Sequence, residues 1–250
     1  MKGVRKFLGL ILFLGLIFSY SLTYAQQDPN DPGAPDSVYF TPDELYFPLP
    51  SGPGLAFIHI NFVNDDTVAA ISAPFIFSGP VVYDSVSFRD SRAKYLQYKP
   101  VNEDLLGDKK LLVGVVPVEE DTLIGQGRGY FATLCFSITD TGTVEIDTVF
   151  FPPVNRLTFV TTDPLGYRPV FIKGIFSIVG YKPGDADYDK DVDVGDVVYL
   201  INYLFKGGPE PYPMVAADVN GDCERNISDV IYLINYLFKG GPPLQPGCFW

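Results

Sequence analysis

Two stretches near the C-terminal end place oxygen-bearing side chains at intervals that suit a hard cation. The first carries Asp185, Asp187, Asp189, Asp191, Asp193 and Asp196. The second carries Asp218, Asn220, Asp222, Glu224, Asn226 and Asp229 at the same intervals. These are the first, third, fifth, seventh, ninth and twelfth places of a twelve-residue loop, the pattern that gives calcium its six to eight oxygens. Asp185, Asp187 and Asp189 would each offer one carboxylate oxygen, Asp191 its backbone carbonyl, and Asp193 a direct or water-mediated contact. Asp196 would close the shell with both oxygens. Asp218, Asn220, Asp222, the Glu224 carbonyl, Asn226 and Asp229 take the same roles in the second copy. A plainer reading makes Asp196 and Asp229 helix N-caps. It accounts for one Asp per helix and leaves the other acids unexplained. A whole unit repeated at fixed spacing favours two calcium sites.

Each loop must be held by the helix that follows it. Val197, Leu200, Ile201 and Leu204 recur at i, i+3, i+4 and i+7, and Val230, Leu233, Ile234 and Leu237 repeat the pattern, so each helix has one apolar stripe to bury against the other. Gly207 and Gly240 stop the helices, with Pro209 and Pro242 just beyond. Tyr199 with Tyr203, and Tyr232 with Tyr236, make a second stripe. It either rims the small core or forms a partner-binding surface of near-twofold symmetry.

This segment resembles a type I dockerin, a paired calcium-loop–helix module that plugs bacterial proteins into cohesin domains. The resemblance rests on the two loops, on Asp at both twelfth places, and on Pro183-Gly184, which stands where an ordinary EF-hand has its entering helix. It implies that Val194-Gly195 and Ile227-Ser228, just before each twelfth place, help contact a cohesin-type β-sandwich. That partner could be another protein, this chain's own sandwich or a second copy. Two departures stand out. The sixth place usually holds Gly for its left-handed backbone, and here holds Lys190 and Cys223, at about 1 kcal/mol each. The eighth place, normally apolar where the loops pair, is Val192 in one copy and Arg225 in the other.

From Ser37 to Val179 the pattern changes to short apolar, β-branched and aromatic runs broken by turn residues. The clearest are 55–63, 69–77, 81–88, 110–116, 129–138, 143–150, 157–161 and 169–178. Eight or nine strands with almost no helical period predict an all-β sandwich with a real core. The run from Glu119 to Ile138, a Gly-containing turn leading into Phe131-Ala-Thr-Leu-Cys-Phe136, resembles part of a cohesin. An immunoglobulin-like or carbohydrate-binding sandwich is the other reading. The expected organisation is a signal peptide over 1–25, a linker over 26–36, a sandwich over 37–180 and the calcium module over 181–250.

The opening residues support export. Lys2, Arg5 and Lys6 precede an apolar run that ends at Thr23-Tyr24-Ala25, the layout of a cleaved secretory signal, a retained membrane anchor being the alternative although the run is short for a full span. No later run is long and apolar enough to span a bilayer. Net charge is −12 and becomes more negative once those three basic residues are removed, which argues against nucleic acid as a partner. Export permits disulfides. A tail returning past the second loop would allow a Cys223–Cys248 bond, free thiols being the alternative. Cys135, in a strand-like run, reads as a buried free thiol.

Catalysis has little support. His59 is the one histidine, which excludes multi-His zinc sites and disfavours a Ser-His-Asp triad. No pair among acids such as Glu103, Asp104, Glu119 and Glu120 is singled out by its spacing. The expectation is an exported, non-catalytic assembly protein at the cell surface or outside the cell. A carbohydrate-binding accessory protein of polysaccharide degradation is the alternative, with a small glycoside hydrolase behind it. Only Trp250 is available as a tryptophan for sugar stacking, which favours assembly.

Overall fold

The computed structural model describes residues 28–248 apart from 32, 43, 50–53, 118–122 and 164. The signal segment, Glu119, Glu120 and Trp250 lie outside the described residues.

Strands come first and helices last, as the change in periodicity requires. In chain order the strands are β1 (Ser37–Thr41), β2 (Glu44–Pro48), β3 (Gly54–Asn64), β4 (Val68–Ser78), β5 (Val81–Ser87), β6 (Val101–Asn102), β7 (Lys110–Val115), β8 (Gly127–Ile138), β9 (Gly142–Thr148), β10 (Thr158–Thr161), β11 (Gly166–Tyr167), β12 (Val170–Phe171) and β13 (Gly174–Tyr181). Two helices follow, α1 (Val194–Lys206) and α2 (Ile227–Lys239). One sheet runs β12-β1-β3-β8-β5. The other runs β11-β10-β4-β9-β13-β2, with β7 also on β4 and β6 on β7.

Alternation decides which side chains meet between the sheets. On β3, Ala56, Ile58, Ile60 and Phe62 are buried, while Leu55 and Phe57 face out. They meet Ile71, Ala73, Phe75 and Phe77 of β4 in one continuous core. Edge-to-face ring pairs such as Phe62–Phe159 and Phe40–Phe75 knit the layers, each adding about 1 kcal/mol beyond area burial.

The architecture is the expected sandwich followed by two helices, with three differences from the sequence reading. β1 and β2 were not anticipated. The chain leaves one sheet at Thr41 and enters the other at Glu44, so neither strand is long enough to show a period. The run expected at 169–178 is two strands in different sheets, β12 parallel to β1 and β13 parallel to β2. The first and last strand pairs thus change sheets together. Residues 28–36, expected as a linker, lie against the sandwich. Asp31 and Asp36 are buried there, and Arg168 N–H donates to Asp28 Oδ2 at 3.1 Å.

The helical module is seated on the end of β13. Tyr181, Val215 and Ala216 form a small buried cluster against Tyr46. Leu49 N–H donates to the Tyr181 carbonyl at 2.7 Å, and Gly184 N–H to that of Ala216 at 2.9 Å. Among the described residues no helix is long and apolar enough to cross a membrane.

Candidate metal centre

The helices are built as their sequences require. Val197, Leu200, Val230 and Leu233 are buried together with Ala186, Ala217 and Val219. Ile201, Leu204, Ile234 and Leu237 pack on the margin. Asp193 and Asn226 are the N-caps, each in a reciprocal capping box with Asp196 or Asp229. Gly207 and Gly240 end the helices at φ of 66° and 64°, the left-handed geometry that favours glycine there.

Both loops wrap their side chains inward through a ladder of bonds to their own backbone. In the first, Asp189 N–H donates to Asp187 Oδ1 at 3.3 Å, Asp191 N–H to Asp189 Oδ1 at 2.8 Å, and Gly195 N–H to Asp193 Oδ1 at 2.6 Å. Asp222 N–H to Asn220 Oδ1, Glu224 N–H to Asp222 Oδ1 and Ser228 N–H to Asn226 Oδ1 repeat the ladder at 2.9, 2.8 and 2.7 Å. The twelfth residues lock the loops shut. Asp196 accepts from Ala186 N–H at 2.7 Å and Asp193 N–H at 2.8 Å. Asp229 accepts from Val219 N–H at 3.0 Å and Asn226 N–H at 2.9 Å. Oδ1 of each also takes a longer bond at 3.4 Å, from Asp187 or Asn220 N–H, whereas Oδ2 accepts one bond and keeps a second lone pair, so the capping reading and the ligand reading can coexist there.

The first residues fit a cation. Asp185 and Asp218 are buried, at 3% and 0% exposure. In each, Oδ2 accepts from the sixth residue's N–H at 3.1 Å, while Oδ1 is buried with no hydrogen-bond partner. A buried carboxylate oxygen left without a donor is costly unless a cation meets it. Ligand oxygens of Asp185, Asp187 and Asp196 lie within 4.8 Å of one another. Burial pushes the carboxyls of Asp185, Asp196 and Asp229 upward, with the neighbouring acids adding to the effect. A divalent ion in the loop would reverse that logic. The donor set, hard oxygens and no nitrogen, suits calcium.

The sixth places take the left-handed backbone without glycine, at φ of 83° for Lys190 and 70° for Cys223. Cys223 is disulfide-bonded to Cys248, and Cys135 is a free, half-buried thiol. Val192 packs on the module's core. No bridge between the two loops occurs among the described residues.

Of the two readings of the tyrosine stripe, the contacts favour the rim at Tyr199 and Tyr232. Tyr199 and Tyr232 each donate a phenol to the module's own next segment, to the carbonyls of Glu210 and Pro243 at 3.2 and 3.0 Å. They are rim residues of the core. Tyr203 is half-buried. Tyr236 lines a cleft against Pro48 and Leu49 of the sandwich. The exposed apolar stripe lies on another face. Val194, Val198 and Phe205 on α1 and Ile227, Ile231 and Phe238 on α2 are all between 47% and 64% exposed. Beside the stripe heads, Gly195 is half-buried and Ser228 is exposed. Val198, Phe205, Ile231 and Phe238 were missed, although their i, i+4, i+11 spacing with Val194 and Ile227 was there to be read.

His59 lies on β3, its ring stacked on Tyr130 at 4.3 Å and its Nδ1 2.8 Å from Thr133 Oγ1. Burial lowers its pKa. It lines an open cleft of about 600 Å³ with Thr41, Phe57, Tyr130 and Asp90.

No curated protein matches the chain. Among solved structures, the chain is similar to the seventh ScaB type I cohesin from Pseudobacteroides cellulosolvens, at 14% identity and a TM-score of 0.45, covering 59% of this chain and 94% of that one. A chain of a Clostridium thermocellum type I cohesin–dockerin complex is similar at 11% identity and TM-score 0.48, with 58% and 100% covered. A non-cellulosomal cohesin from the archaeon Archaeoglobus fulgidus follows at 14% and 0.41, with 58% and 92% covered. Residues 183–238, which hold both loops and nearly all of both helices, match the model of the dockerin type I domain.

Proposed function

We propose that the chain is an exported assembly protein whose C-terminal module folds around two calcium ions and docks onto a cohesin-type sandwich. The observation that carries this reading is the pair of orphaned oxygens, Asp185 Oδ1 and Asp218 Oδ1, at the first places of two like-built loops. Asp185, Asp187, Asp189, the Asp191 carbonyl, Asp193 and Asp196 would hold one ion. Asp218, Asn220, Asp222, the Glu224 carbonyl, Asn226 and Asp229 would hold the other. When bound, the ions would neutralise the clustered carboxylates of the two loops. The residues present two related apolar stripes headed by Val194-Gly195 and Ile227-Ser228. Val198, Phe205, Ile231 and Phe238 stay exposed, which favours a separate molecule over the chain's own sandwich as the partner. The cystine is in keeping with an oxidising compartment outside the cytoplasm.

The test is capture of purified cohesin-type sandwiches by the immobilised full chain, in calcium and in chelator. Capture in calcium that is lost in chelator and lost again in Val198→Asp/Ile231→Asp supports the reading. Capture indifferent to both would overturn it.

A second reading is favoured by the cleft beside His59. Exposed Phe57 and the His59–Tyr130 stack stand among hydroxyl and carboxylate groups there, a mixture that suits a sugar ring. Retardation of the chain in polysaccharide-containing gels, relieved by Phe57→Ala, would establish it.

A further inference from the structure

The two loops are alike in their ladders and differ in what lies outside them. The segment after α2 turns back over the second loop. Gln245 N–H donates to the Val219 carbonyl at 2.9 Å. Gly247 sits so close that a methyl group there would run into the Val215 carbonyl and Asp218. Cys248 then bonds to Cys223 at the sixth place.

That path delivers a second donor to the first ligand. Asp218 Oδ2 accepts from Cys223 N–H at 3.1 Å and from Cys248 N–H at 3.0 Å. The Asp185 carboxyl is met by backbone N–H groups of its own loop, Lys190 and Asp189, and among the described residues no donor reaches it from a returning segment as Cys248 reaches Asp218. Two donors, one from the loop and one from the returning tail, hold Asp218 Oδ2, while its Oδ1 is buried with no hydrogen-bond partner. The second loop is also the poorer in carboxylates, with Asn220 and Asn226 where the first has Asp187 and Asp193. It has more to gain from a pre-aimed ligand.

Resting on the calcium reading above, we propose that the segment Gln245–Cys248 is a built part of the second cation site. The Cys223–Cys248 disulfide then holds that site in its high-affinity form, and opening the bond weakens calcium binding there alone. The step is a two-electron reduction by two equivalents of an external thiol: the first attacks and forms a mixed disulfide, the second displaces the protein sulfur, both cysteines end protonated, and the two thiols leave joined as a disulfide. Released, the segment no longer fixes Cys248 N–H on Asp218, and the carboxylate recovers its rotamer freedom. Groups that orient a metal ligand from behind are worth roughly 10–100-fold in affinity.

The experiment is calorimetric titration of the full chain with calcium chloride, oxidised and after a phosphine reductant. Asp185→Ala and Asp218→Ala backgrounds assign the two heats. The expected result is a second-site Kd raised roughly 10–100-fold on reduction, a first-site Kd within about twofold, and recovery on reoxidation. Cys248→Ser should reproduce the reduced protein. Gly247→Ala should weaken the second site with the disulfide intact. Cys223→Gly puts the favoured residue at the left-handed position, so it separates relief of backbone strain from loss of the clamp and is expected to weaken the site. The unchanged first site certifies the fold in each variant. A second-site Kd unmoved by reduction, or both sites weakened equally, overturns the proposal. An oxidised chain that takes up no calcium overturns the calcium reading itself.

Discussion

The phenol of Tyr167 donates to the carboxylate of Asp36 across 131 residues of sequence, with both groups buried. Asp65 N–H grips the other Asp36 oxygen at 3.0 Å. Burial is the largest influence on Asp36 and lifts its pKa from 3.8 to about 6, in spite of these donors. A carboxyl raised in the native state binds its proton more tightly there than in the unfolded chain. Its contribution to stability is complete below about pH 4 and is lost as pH rises through about 6.

Tyr167→Phe removes a donor that favours the ionised form. The loss of stability should be about 1–3 kcal/mol at pH 7.5 and distinctly smaller at pH 4.5, where Asp36 carries its proton. Urea denaturation at the two pH values checks this. An equal loss at both would show that the bond does not sense the charge of Asp36.

The exposed stripe and the tyrosines make separable predictions. Tyr199→Phe and Tyr232→Phe each remove one hydrogen bond to the module's own backbone and should cost about 1 kcal/mol of stability, with docking unchanged. Val198→Asp and Ile231→Asp should leave the melting temperature nearly unchanged and weaken docking by about 2 kcal/mol or more, roughly 30-fold. Melting curves and surface-binding measurements on the four variants separate rim from interface. Docking lost in the tyrosine variants alone would return the interface to the tyrosine stripe.

What could be read from the residues beforehand followed from local physics. The Asp spacing marked both loops, the i, i+3, i+4 pattern marked the buried faces of α1 and α2, and Gly207 and Gly240 marked their ends. The longer strands β3, β4 and β8 showed themselves by alternation. What escaped was set by distant parts of the chain. Whether Tyr232 faces a partner or its own module depends on where Pro243 returns. β12 and β13 look like one run because nothing local tells residues 172 and 173 to cross between sheets. Asp36 sits in a polar, Pro-rich stretch, and its burial depends on Tyr167. A returning tail could be read from Cys223 and Cys248, but the bond from Cys248 N–H to Asp218 could not, because it depends on how closely residues 245–248 pack.

Charge count should order the two sites. The first loop brings five side-chain carboxylates and the second brings three with two amides, by the ligand roles set out above. Fewer charges mean weaker calcium binding. Asn220→Asp should therefore tighten the second site and, in chelator, lower the melting temperature through added repulsion near Asp218 and Asp222. Calcium titration paired with melting in chelator checks both halves. Weaker calcium binding in this variant would mean that the Asn220–Asp222 contact at 2.9 Å matters more than charge.

Two acidic loops that are calcium sites of unequal strength within one module must fill at different calcium concentrations. Flow dialysis of the oxidised full chain against radioactive calcium tests it most directly. The expected result is two ions per chain, with Asp185→Ala abolishing the tighter component and Asp218→Ala the weaker. No saturable uptake, or uptake untouched by both substitutions, would contradict it.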